Sequence, residues 1–253
     1  MKARLVSLAI LLAGWGLISA GSSGLGFPGP IAVLEAFVAL LTSGELTDAL
    51  AITLTSFVAG AAAAMLVGVP VGILMGIRPT IGRAVDPYLT GLYIMPFSAV
   101  IPLLVLWFGI DEGVRFVFIF LFTLPQVAIV CYQGARQTPA TLRDVARTLH
   151  ASDAQVFRTL VLPHEVPYVF TALRLGTGVA IQGMVVAELL IASVEGLGDL
   201  IRLASARLDL ASVLAVVLFV MLLGVAAVGI MQRIENAVAP WRRGTTIGDV
   251  SRA

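Results

Sequence analysis

Charge is the scarcest ingredient of this sequence. Only 12% of its 253 residues are Asp, Glu, Lys or Arg, about half the share of an ordinary soluble domain. Lysine is nearly absent, with one residue at Lys2. The phosphate-cradling pattern Gly-x-x-x-x-Gly-Lys-Ser/Thr therefore has no place in the chain, and ATP is not bound by that route. A single cysteine, Cys131, excludes an internal disulfide framework and a Cys-based metal cluster; set in an apolar run, it reads as a small core residue. Two histidines, His150 and His164, with Glu165 as their one neighbouring carboxylate, give poor support for a metal site, and none is expected. A net charge of +1 lacks the concentrated basic face that nucleic acid requires, so no nucleic-acid partner is expected.

What fills the chain instead is hydrocarbon: 59% of the residues are hydrophobic. A helix needs about 20 apolar residues to cross ~30 Å of bilayer. Runs of that order recur at Leu5–Ala20, Leu50–Ile77, Tyr88–Phe108, Val114–Tyr132, Tyr168–Ala192 and Leu210–Gln232. The fold class expected is all-α, with six membrane spans in one domain covering residues 1–253. The first run is short and follows Lys2 and Arg4, as a signal peptide would. Ala20 suits a cleavage site, but Ile18 is large for the −3 position, and a retained first span is expected. With the N-terminus in the cytosol, Lys2, Arg4, Arg78, Arg83, Arg136, Arg143, Arg147, Arg158, Arg233, Arg242, Arg243 and Arg252 fall on the cytosolic side, twelve against three outside (Arg115, Arg202, Arg207). Arg174 sits just inside the fifth span. Basic residues favour the cytosolic side, so both termini and residues 133–167 are placed there, in a multi-pass membrane protein surrounded by lipid.

Three local patterns add detail. Pro28 and Pro30 precede, and Gly44 follows, a segment in which Ile31, Leu34, Val38 and Leu41 recur at helical spacing, predicting a short amphipathic helix at the outer surface. Gly60, Ala64, Gly68, Gly72 and Gly76 stand four apart in the second span, a stripe along which another helix can approach closely; Pro70 should bend the same span. Pro96 and Pro102 each remove a backbone donor from the third span. Interruptions of this kind either line a pathway or only shape packing.

The one polar stretch of length, DVARTLHASDAQVFRTLVLPHEVP (residues 144–167), is ordered rather than loose. Thr138 suits an N-cap and Pro139 a first helical position. Leu142, Val145, Ala146 and Leu149 then form one apolar stripe. After a break at His150–Ala151, Ser152 and Gln155 make a capping box. The second short helix carries Val156, Phe157, Leu160 and Val161, and Pro163 and Pro167 are expected to end it. This is a two-helix elbow, residues 133–167, on the cytosolic face. Its apolar residues either pack on the spans or dock a soluble partner. A DNA-binding helix–turn–helix is set aside, because one elbow tethered at both ends lacks a supporting core.

These residues resemble the cytosolic pattern of ABC-importer permeases: Glu-Ala-Ala, three residues, Gly, nine residues, Ile-x-Leu-Pro. Here the spacing is met by Asp144-Val145-Ala146, His150 and Leu160-Val161-Leu162-Pro163. Asp replaces Glu, Val the first Ala, His the Gly and Leu the Ile. The flanking ARTLHAS, FRTLVLP and ALRLG, and the later VVAELLIAS and GLGDLI, look like the subgroup importing nitrate, sulfonates, taurine, bicarbonate, thiamine precursors and aromatic carboxylates. The resemblance implies a type I ABC-importer permease fold in a dimer, commonly of two identical copies. It implies ABC ATPase subunits that carry ATP and Mg, a soluble extracytoplasmic binding protein, and no cofactor or catalytic residue on this chain. The elbow would be the coupling helix, with Asp144, Ala146, Leu149, His150, Ala151, Ser152, Phe157, Leu162 and Pro163 as coupling residues. At position 150 the family's glycine would take a left-handed backbone; His is among the residues enriched there, so positive φ is expected.

Glu188 is the one acid well inside an apolar run, a functional candidate by default unless it reaches the headgroups. Asp111 and Glu112 read as a solvated turn. Tyr93, Ser98, Gln126, Gln182 and Glu188 are the candidate solute pathway. Two other classes compete with this reading. A secondary transporter would want buried ion-coupling acids, and only Glu188 offers itself. An intramembrane enzyme would want a nucleophile and base within the spans, and none is present.

Overall fold

The computed structural model describes residues 2–21, 27–191 and 195–238. Among them the regular structure is helical: α1 Lys2–Gly21, α2 Pro30–Thr42, α3 Glu45–Ile77, α4 Pro79–Ile94, α5 Phe97–Phe108, α6 Glu112–Arg136, α7 Ala140–Thr148, α8 Asp153–Val156, α9 Leu162–Leu190, α10 Leu197–Ala206 and α11 Leu210–Val238, with a π-helical turn Phe157–Val161 between α8 and α9. The cause is the one read from the sequence: a backbone in hydrocarbon must satisfy its own hydrogen bonds, and helices do so within one segment. Four helices are long and apolar enough to span: Glu45–Ile77, Glu112–Arg136, Asp153–Leu190 and Leu210–Val238. A fifth is reached if α4 and α5 are one broken span, and α1 contributes a shorter apolar stretch, Ala9–Gly21.

The centre of the bundle is α3 against α6, with α9 packed against both. The glycine stripe makes the first contact. A Cβ on Gly60 would stand 2.7 Å from the Ile119 side chain, and one on Gly68 3.0 Å from that of Val127. At Gly72 a Cβ would run into the backbone carbonyl of Ala128, and at Gly76 into the Cβ of Ala135. The carbonyl at Gly72 cannot swing aside as a side chain can. Gly72→Ala should therefore cost ~1–3 kcal/mol of overpacking, exceeding the ~1 kcal/mol that Ala gains in helix propensity. A melting temperature of the purified variant at or above that of the parent would contradict this contact.

Two expectations are corrected. Tyr88–Phe108 is not one continuous helix: α4 and α5 meet at 100°. Met95 has φ −64° and ψ 133°, the extended backbone that a following proline imposes, and Pro96 then begins a new helix. Nor do Pro163 and Pro167 end the elbow's second helix. The chain runs as one 38-residue helix from Asp153 to Leu190. The π turn absorbs the misfit: Leu162 N–H donates to the Phe157 carbonyl, five residues back, and Pro163, lacking an N–H, falls at the start of the next register. The last residue of the expected fifth span, Ala192, lies outside the described residues, as do Arg242, Arg243 and Arg252.

One end of the bundle gathers the start of α3, α10 and α11 around Leu46, Ala49, Leu197, Ile201 and Val216. Phe37 and Leu40 of α2 pack there too, and Phe37 tilts against Phe219 at 6.0 Å. The named stripe of α2, Ile31, Leu34, Val38 and Leu41, is the side turned outward. Asp209 starts α11 by accepting from the Ser212 hydroxyl at 2.6 Å and the Ser212 N–H at 3.1 Å, which holds its carboxyl below the usual range. The opposite end carries the elbow.

Candidate functional site

The elbow is built as its sequence indicates, with one exception. Leu149 N–H reaches the Val145 carbonyl at 3.1 Å and Ala151 N–H the Ala146 carbonyl at 3.0 Å, closing α7. His150 then takes φ 57°, the left-handed conformation expected. Ser152 receives the Gln155 N–H at 3.3 Å, and the Gln155 side chain accepts from Ser152 N–H at 2.8 Å, completing the capping box. The exception is Thr138. Its hydroxyl is buried without a hydrogen-bond partner, and the helix begins at Ala140, so Pro139 precedes the first turn and no N-cap bond forms. Arg78 pairs with Asp153 at 3.3 Å, linking the α3–α4 turn to α8; both side chains are exposed, and such a pair contributes at most ~1 kcal/mol.

The placement of the coupling candidates separates them. Leu142, Val145 and Leu149 expose their side chains, Leu149 to 76%. Asp144, Ser152, Leu162 and Pro163 are also exposed, and Ala146 and Ala151 are half-buried. Phe157 turns inward, against Ile73, Val127, Cys131 and Ala172. The left-handed residue can be tested directly. Glycine removes the ~1–2 kcal/mol that a side chain costs at positive φ but loosens the unfolded chain. His150→Gly should therefore melt within about 1 kcal/mol of the parent, and β-branched His150→Val should melt clearly lower. Equal melting of all three would mean that the turn is not held left-handed.

A second feature sits at the α4–α5 break. Tyr93, Gln126 and Gln182 come together with Met95, Phe97, Phe122 and Pro125 around a cavity of about 340 Å³. Three of the five pathway candidates thus converge, on α4, α6 and α9. The lining is mostly apolar, with three polar side chains and no charged one. Ser98 lies past the break, exposed and outside this lining.

Glu188 is elsewhere, and it does not reach headgroups. It is fully buried, accepts from the Thr53 hydroxyl at 2.8 and 3.0 Å and from Gly198 N–H at 2.9 Å, and lies 3.6 Å from the guanidinium of Arg115. Arg115, also fully buried, has a second carboxylate, Glu112, at 3.7 Å. Thr53 in turn accepts from Leu197 N–H at 2.9 Å. The cluster pins α10 to α3, α6 and α9. A Cβ on Gly198 would lie 2.6 Å from that of Glu188, and one on Gly196 would strike its carboxylate. The sequence signal for this cluster was the Gly-Leu-Gly shortly after a buried acid, glycines where a carboxylate meets backbone.

An all-helical membrane chain whose one polar segment is an ordered elbow has the organisation of a transporter's membrane subunit. The chain belongs to the family described as binding-protein-dependent transport system inner membrane component, matched over residues 68–240, and it is an ABC-importer permease. It is 32% identical over 239 residues to a probable ABC transporter permease protein of Brucella abortus, covering 94% of this chain and 95% of that one. It is 34% identical to the taurine transport system permease protein of Escherichia coli, covering 93% and 88%. It is 30% identical to the nitrate import permease protein of Synechocystis, covering 93% and 88%.

Proposed function

We propose that this chain forms the pathway by which a small anionic or zwitterionic solute, of the nitrate, sulfonate, taurine, bicarbonate or thiamine-precursor kind, crosses the inner membrane by alternating access. An extracytoplasmic binding protein delivers the solute, two copies of the chain form the conduit, and ABC ATPase subunits carrying ATP and Mg dock at the elbow. The chain spans six times with both termini cytosolic, α1 and the bent α4–α5 pair supplying the spans beyond the four long helices. The observation that carries this reading is the exposed apolar face of the elbow, Leu142, Val145 and Leu149, in a family whose members serve binding-protein-dependent import. The secondary-transporter alternative loses the acid the sequence offered it, since the Glu188 carboxylate is enclosed by Thr53, Gly198 and Arg115.

The cavity at the helix break supplies the test. Its amides and phenol can hydrogen-bond a solute that has shed water. Losing a hydrogen bond to a charged group costs ~1.5–3 kcal/mol, roughly 10- to 150-fold. In vesicles holding permease, ATPase and binding protein, Gln126→Leu with Gln182→Leu should reduce uptake at least tenfold while the ATPase still co-purifies. Uptake at the parent rate would remove the cavity from the pathway.

A further inference from the structure

The elbow end of the bundle holds an acid that nothing above employs. Glu165, on the first turn of α9, is 0% exposed, and neither carboxylate oxygen has a hydrogen-bond partner. Its helix is 38 residues long, roughly 57 Å at 1.5 Å per residue. A membrane core of ~30 Å needs about 20 of those residues, so the first turns of the helix, Glu165 among them, project beyond the hydrocarbon. The surroundings offer the carboxylate no counter-charge. From α6 the facing titratable group is Cys131, close enough to feel the Glu165 charge. Thr138, at the end of α6, has a buried hydroxyl without a partner. On its own helix, His164 keeps a buried and unpartnered Nε2, and Tyr168 spends its phenol on Gln137 at 2.6 Å. The basic group in this part of α6, Arg136, lies over the Tyr132 ring at 5.4 Å. Among the described residues no ion pair joins Glu165.

We propose that Glu165 is a proton site: it holds a proton while the cytosolic ends of α6 and α9 are packed together and releases it when they part and admit water. The reasoning is electrostatic. An isolated ionised carboxylate in such a place is far costlier than a protonated one, and burial pushes the Glu165 carboxyl up to about 8. In the opened form, with water at the carboxylate, the ordinary value near 4.3 returns. The packed conformation therefore binds the extra proton. Its advantage is complete below about pH 4, falls through the range between that and about 8, and is gone above it. Within that window each pH unit shifts the equilibrium toward the opened form by up to about tenfold. The proposal rests on the alternating-access reading only for what drives the opening.

The chain carries its own reporter, the single cysteine Cys131, buried in a core that Val169, one turn past Glu165, packs against. The intact permease–ATPase complex in nanodiscs is treated with N-ethylmaleimide from pH 6 to 8, and the alkylated fraction of Cys131 is read by mass spectrometry, for the parent and for Glu165→Gln. Glutamine has the size of the protonated acid but cannot ionise. Because both proteins carry the same thiol, its own pH dependence cancels in the parent-to-variant ratio, and a carboxylate beside the thiol could only slow the parent. The expected result is a ratio that climbs with pH, by up to about 100-fold over the two units. Glu165→Leu, a second neutral variant, should behave as Glu165→Gln does and serves if the amide fails to assemble. A ratio flat across the range overturns the proton site. The readout requires neither solute nor uptake, so a flat ratio beside normal uptake condemns the proton site alone, and a climbing ratio beside absent uptake condemns only the transport reading.

Discussion

Leu149→Asp is expected to abolish both uptake and co-purification of the ATPase while leaving expression and membrane insertion near normal. The side chain is 76% exposed at the tip of the elbow, next to the left-handed His150, and nothing in the chain's own fold depends on covering it. The spans insert through their own hydrophobicity, which this position does not touch. If Leu149 fills an apolar groove of the ATPase, the aspartate would be buried there without a partner, at ~3–5 kcal/mol. At 1.4 kcal/mol per tenfold, docking weakens by roughly 140- to 3,700-fold. The half-buried Ala146, one turn earlier, should be nearly as sensitive to Glu. Normal pull-down of the ATPase by both variants, with normal uptake, would reduce the elbow to a cap on the cytosolic ends of the spans.

The second large effect lies at the other end of the bundle. Glu188→Ala removes the carboxylate that lies 3.6 Å from a fully buried guanidinium, and among the described residues only the exposed Glu112 remains in ion-pair range of Arg115. An uncompensated buried charge costs ~3–5 kcal/mol. Thr53 and Gly198 N–H lose their acceptor as well, at ~1–3 kcal/mol for each donor left dry. The variant should melt roughly 10 °C or more below the parent and loosen α10 from α3 and α9. Glu188→Gln, which keeps the acceptor and loses the charge, should fall between. Combining Arg115→Met with Glu188→Gln should cost less than the sum of the single changes, by ~0.5–3 kcal/mol. A Glu188→Ala protein that melts with the parent would show that the pair is not a latch.

What the sequence made legible was set by local chemistry. Apolar length fixed the helices, the four-residue glycine period fixed the face α3 offers α6, and the elbow's turn and capping box needed only neighbouring residues. The features missed depend on distant ones. Glu188 read as either a functional acid or one reaching the headgroups, because Thr53, 135 positions away, could not be known to meet it. Pro96 marked a disturbance, but the 100° turn of α5 depends on Phe97, Ile101 and Leu104 finding a core against Val114 and Phe118. Pro163 signalled an end to a helix, and a π turn carried the chain through. Glu165 sits in a charged stretch, and its complete burial depends on the packing of helices that neighbouring residues do not reveal.

The central claim is that the elbow meets the ATPase. Its most direct test is a photo-crosslinking amino acid placed at Leu149, with Val38 on the outward side of α2 as the control, in cells making the whole importer. The expected result is an adduct at Leu149 whose second chain carries a P-loop, and none from Val38. Crosslinks from Leu149 only to this chain or to lipid, in a complex that still transports, would contradict the account.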